Sequence, residues 1–141
     1  MKSLKEFLAE ALSSLDDKLL KKHKVSQDDL EDLAKKCGMT PAGRSHSDAA
    51  IDVTVSGVDD KTAEKLAGEL KMQELTDKQI KEIRKNLNMR ERTWIAKLDD
   101  DLAIEFLWLG AKASKPSPKA TIRVFSISKF GMADVDFLKF I

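Results

Sequence analysis

Two apolar runs, "RTWIAKL" (92–98) and "LAIEFLWLG" (102–110), flank three consecutive aspartates, and this arrangement limits the fold more than any other stretch. Branched and aromatic residues favour paired strands, while a short carboxylate bonds nearby backbone and suits a turn. The stretch reads as an antiparallel hairpin turning at Asp99 to Asp101. A further run, "ATIRVFSIS" (120–128), follows the loop "SKPSP". Earlier, Ile51, Val53 and Val55 alternate with Asp52, Thr54 and Ser56, as in a half-buried strand.

Helices account for much of the rest. Leu4, Phe7, Leu8, Leu12, Leu15 and Leu19 form one apolar stripe over residues 3–23, with Ser3 and Glu6 at capping-box spacing. Ser26 and Asp29 open a second helix, Val25 and Leu30 staple it, and Gly38 closes it. Asp59 starts a third helix with Ala63, Leu66, Ala67 and Leu70 inward. Thr76 and Gln79 box a fourth, stapled by Leu75 and Ile80, with Ile83 and Leu87 on its buried side. "GMTPAGRSHSD" (38–48) carries glycine, proline and small polar residues without periodicity and reads as a linker. The tail "ADVDFLKFI" suits a short helix or an extended edge.

The fold class expected is α+β: an N-terminal helical pair, then an antiparallel sheet of about four strands with two helices on one face. Residues 11–37 form the helical segment, 38–48 the linker and 49–141 the α+β domain. Trp94, Leu98, Ile104, Phe106, Trp108, Val124 and Phe125 are the core candidates.

Chemistry is sparse. The formal net charge of +1 creates no global field for nucleic acid or an acidic membrane. One cysteine, Cys37, excludes an internal disulfide and suits a reducing compartment; beside Gly38 it reads as a small helix-end residue. His23 and His46 lack zinc-site spacing, and no phosphate loop, dinucleotide fingerprint or nucleophile elbow is present. Neither a bilayer-spanning run nor a secretory signal is found. No enzyme, metal, cofactor or membrane partner is expected, and the oligomeric state stays open.

Two functional readings remain. In the first, a small cytoplasmic regulator binds nucleic acid through helices 60–71 and 77–88, using Lys78, Lys81, Arg84, Lys85, Arg90 and Arg92. Two helices before a hairpin are also the elements of a winged helix-turn-helix unit, although this would-be wing is heavily apolar.

The second reading starts from "MKSLKEFLAEA". Met1, Lys2, Glu6, Phe7, Leu8, Glu10 and Ala11 resemble the capsid-targeting leader of internal head proteins of T-even-type bacteriophages, over about the first 11 residues. The resemblance implies a propeptide, residues 1–10, that docks on the prohead scaffold core. It further implies cleavage by the prohead protease after Glu10, at a site comprising Leu8, Glu10 and Ala11. The mature part would be a non-enzymatic accessory protein for DNA or a host factor, found in the virion interior and later in the host bacterial cytoplasm. Physically, Leu4, Phe7 and Leu8 supply an apolar docking patch worth on the order of 5 kcal/mol when buried, before ordering costs. Terminal turns fray readily, which would let a protease take this segment in extended form.

Overall fold

A computed structural model describes residues 15–84, 91–131 and 133–141, and the hairpin forms where the sequence places it. In chain order the elements are α1 (Asp17–Lys22), α2 (Gln27–Lys36), β1 (Thr40–His46), β2 (Ala50–Ser56), α3 (Asp60–Glu69), β3 (Gln73–Glu74), α4 (Asp77–Ile83), β4 (Arg92–Asp99), β5 (Leu102–Trp108) and β6 (Ala120–Ser126). A 3-10 helix, Ala133–Phe140, follows. The strands form one sheet of six in the order β1-β2-β6-β5-β4-β3, every neighbouring pair antiparallel.

Helix starts follow the local signals closely. The Ser26 hydroxyl accepts from Asp29 N–H at the head of α2. Asp59 with Thr62, and Thr76 with Gln79, make complete capping boxes on α3 and α4. Gly38 ends α2 with φ +96°, and Met39 N–H closes back onto the Ala34 carbonyl. A side chain is poorly accommodated in that left-handed conformation. Gly38→Ala is expected to cost about 1–2 kcal/mol in a urea titration. A loss below about 0.3 kcal/mol would show that the bend can be made another way.

The sheet separates two cores because strand side chains alternate. On the first face Val53, Ile104, Phe106, Trp108, Ile122 and Val124 pack with Leu20, Val25, Leu30 and Ala34 of the helical pair region and Ala63 and Leu66 of α3. Trp94 stacks on Phe106 there, ring centroids 5.5 Å apart. On the second face Ala50, Ile95, Ala103 and Phe125 meet Leu75, Ile80 of α4 and Phe137 of the 3-10 helix.

Five expectations need correction. The helix expected over 3–23 is interrupted at Asp16, which is extended and caps α1. The sheet has six strands, not about four. Most of the 38–48 linker is β1, an edge strand exposed at six of seven positions, where no inward face exists to impose alternation. Pro41 and Gly43 are tolerated there because the register shifts between them. The two later helices do not share a face: Ala63 and Leu66 belong to the first core, Ile80 to the second. The chain between them crosses the sheet edge as β3, with Met72 against the first core and Leu75 in the second. Phe125 accordingly leaves the core that holds Val124.

The helical pair packs directly on the sheet, with α2 over β1 and β2. Leu4, Phe7, Leu8, Glu10, Ala11, Leu12, Lys85, Leu87 and Arg90, and the Ser3–Glu6 cap, lie outside the described residues.

Candidate functional site

The second face carries an ionic row through its centre. Asp52 on β2, Arg123 on β6 and Glu105 on β5 are register partners, so their side chains stand side by side between the apolar residues of the three strands. Arg123 grips Asp52 with a fork, Nε to Oδ1 at 2.8 Å and Nη2 to Oδ2 at 3.1 Å. Its Nη1 reaches Glu105 Oε1 and Asp134 Oδ2, both at 3.3 Å.

Asp134 comes from the 3-10 helix and accepts a second guanidinium, that of Arg84 just after α4. Arg84 Nη1 also donates to Glu91 Oε2 at 2.8 Å, and Thr93 Oγ1 donates to the same oxygen at 2.7 Å. Arg84 lies 4.9 Å over the Phe137 ring, and Arg123 5.5 Å over that of Phe130. Two guanidiniums thus face four carboxyl groups in a largely dry layer.

Protonation relieves that excess. Glu105 is fully buried, and burial, then its hydrogen bond to Asp134 and that group's charge, push its pKa well above the ordinary carboxyl range. Burial also opposes ionisation of Asp134, but the Glu105 hydrogen bond, the Arg84 hydrogen bond and both arginine charges outweigh it and hold Asp134 below the ordinary range. Of the pair, burial thus favours the protonated form of Glu105, and the two arginines favour the carboxylate of Asp134. Glu105 Oε2 and Glu91 Oε1 are buried without a partner among the described residues.

Chemically, this cluster is a fastener. No substrate reaches Glu105 at 0% exposure; Asp52 and Arg123 meet solvent in a shallow groove shared with Ser45, His46 and Phe130. The row joins the 3-10 helix to β5, β6 and the end of α4, and so closes the second core. Sequence reasoning missed it, although each central strand carries one ionisable residue among apolar ones: Asp52, Glu105 and Arg123.

Of the residues singled out for nucleic acid, the four that the structure describes do not form one surface. Lys78 and Lys81 are exposed on α4. Arg84 is held in the buried network, its side chain 14% exposed. Arg92 lies on the first face, 4.5 Å over the Trp94 ring, and pairs with Asp60, Glu64 and Glu74. Two of the four described cations are thus already neutralised by carboxylates.

The remaining candidates are structural. Cys37 is buried in the first core, and burial raises its thiol pKa, which disfavours the reactive thiolate. The aspartate triplet makes its turn, Asp101 N–H donating to Asp99 Oδ1. Asp101 also accepts from Ser126 Oγ and Ser128 N–H, tying the hairpin to the end of β6. His23 Nε2 meets Asp99 Oδ2 at 3.2 Å. Among the described residues no group of three or more His, Cys, Asp or Glu side chains is arranged to hold a metal, and no helix is long and apolar enough to cross a membrane.

Comparison with known protein families, curated proteins and solved structures finds no match to this chain.

Proposed function

We propose that this chain is an internal head protein of a T-even-type bacteriophage, carried into the prohead by residues 1–10 and cut after Glu10. Its remaining body acts as a non-enzymatic binding protein. The observation that carries this reading is the pattern Met1, Lys2, Glu6, Phe7, Leu8, Glu10 and Ala11. The body offers support downstream of the cleaved bond: α1 has its own N-cap, Asp16, whose Oδ1 accepts from Lys18 N–H at 2.8 Å. A host protein is favoured over DNA as the body's partner, because Arg84 and Arg92 already have carboxylate partners.

Mass spectrometry of the protein from purified virions is expected to find Ala11 at the N-terminus, and Glu10→Gln to abolish that product. An intact Met1 terminus in mature particles, or absence from particles, overturns the reading. The 11–141 body is expected to unfold within about 1 kcal/mol of the full chain in urea, since a detachable leader adds little to the core. A loss above about 3 kcal/mol would instead make residues 1–10 part of the folded body.

A further inference from the structure

Beside β3 the sheet has an open edge. Leu75 N–H donates to the Thr93 carbonyl, and β3 then pairs with β4 only at Glu74–Trp94 and Gln73–Ile95. The two-residue period turns the backbone groups of Lys97 toward this same edge. No described residue pairs there, because the end of α3 swings away: Lys71 has φ 53°, and Met72 N–H closes onto the Ala67 carbonyl. Residues Ala96–Asp99 are therefore bonded on the β5 side alone.

A groove of about 650 Å³ runs along this edge and under the 3-10 helix. Its apolar wall comprises Ile95, Ile127, Val135, Leu138 and Ile141. Its charged lining residues are Lys71 and Lys97, both exposed and neither ion-paired among the described residues, and no acidic residue lines it.

We propose that this groove takes an extended peptide, added to β4 as a further strand, whose groove-facing side chains, every second one, include both apolar and acidic residues. The unpaired backbone groups of Lys97 provide main-chain hydrogen bonds, and because Ile95 and Lys97 stand two residues apart on one face, the peptide side chains that turn toward the apolar wall are also the ones whose carboxylates the lysines select. A second copy of this chain is a poorer occupant, since antiparallel pairing of two β4 edges brings Lys97 against Lys97 and like charges oppose each other there. The inference is independent of the leader, because every residue it uses lies in the body.

The test uses the full chain, a fluorescein-labelled octapeptide in which valine and glutamate take turns at every second position with serine between them, and a control peptide with proline at the serine positions. Saturable binding of the first peptide only is expected, with the largest amide shifts in a ¹⁵N NMR titration at Gln73, Ile95 and Lys97. The double variant Lys71→Glu/Lys97→Glu is expected to bind at least ~10-fold more weakly at low salt, where charge attraction is least screened. Lys97→Pro removes an edge N–H outside the β4–β5 ladder and is expected to abolish binding, with cooperative melting retained as the check on folding. No binding, an affinity within about twofold in the charge-reversed variant, or shifts confined to other faces would each overturn the proposal. So would self-association of the free protein that Lys97→Pro removes, since it would seat a second copy at the edge.

Discussion

Replacing Arg84 with alanine is expected to lower the unfolding free energy by about 3–5 kcal/mol, the usual cost of removing one member of a buried ion pair. For a chain of this size that corresponds to a fall of roughly 10–20 °C in melting temperature. The loss is large because the partners cannot turn to water: the side chains of Glu91 and Asp134 are 3% and 6% exposed. Arg123 would still reach Asp134, but among the described residues Glu91 would keep only the Thr93 hydroxyl. Arg84→Lys is expected to recover only part of the loss, because one ammonium cannot reproduce the two prongs that reach Glu91 and Asp134 separately. Chemical denaturation of the three proteins decides the matter. A cost below about 1 kcal/mol for the alanine variant would mean the cluster behaves as a solvated surface pair.

The second large effect is a dependence of stability on pH that runs opposite to ordinary acid denaturation. Glu105 holds its proton in the folded state to a higher pH than in the unfolded chain, where its carboxyl titrates near 4.5. Between those two values the folded state binds the extra proton, so stability falls as pH rises, by up to about 1.4 kcal/mol per pH unit for one proton. Asp134 acts in the other direction: its depressed pKa contributes stability above its unfolded value near 3.8, lost as pH falls through the folded value. Together they place the network's greatest contribution near pH 4, between the two unfolded values.

Deprotonating Glu105 would set its charge against Asp134, with Arg84 and Arg123 already shared among Asp52, Glu91 and Asp134. Thr93 and Ile95, packed from β4, add no charge. Glu105→Gln keeps the side chain's size and cannot ionise, so its stability is expected to decline less steeply than the wild type's above pH 5. Urea titrations from pH 4 to 9 check this. Parallel profiles for the two proteins would show that Glu105 does not hold the extra proton.

Where adjacent residues sufficed, the sequence was legible. The caps at Ser26, Asp59 and Thr76, the bend at Gly38 and the turn at Asp99–Asp101 each depend on atoms within a few positions of one another. The alternation of β2 and the apolar runs of β4, β5 and β6 could likewise be read along the chain. β1 escaped notice because an edge strand with almost no buried side chain leaves no pattern, only backbone pairing to β2. The two residues of β3 are too few to show any period.

The sheet's two faces and the ionic row belong to the tertiary structure. Which side α3 and α4 occupy depends on where the chain crosses the β4 edge, a non-local choice that neither amphipathic helix encodes by itself. Asp52 and Arg123 are 71 residues apart, and Arg84 and Asp134 are 50 apart. As isolated letters they look like solvated charges. Only strand register and the folding-back of the 3-10 helix bring them together away from water, where a neutral Glu105 and paired guanidiniums make their burial tolerable.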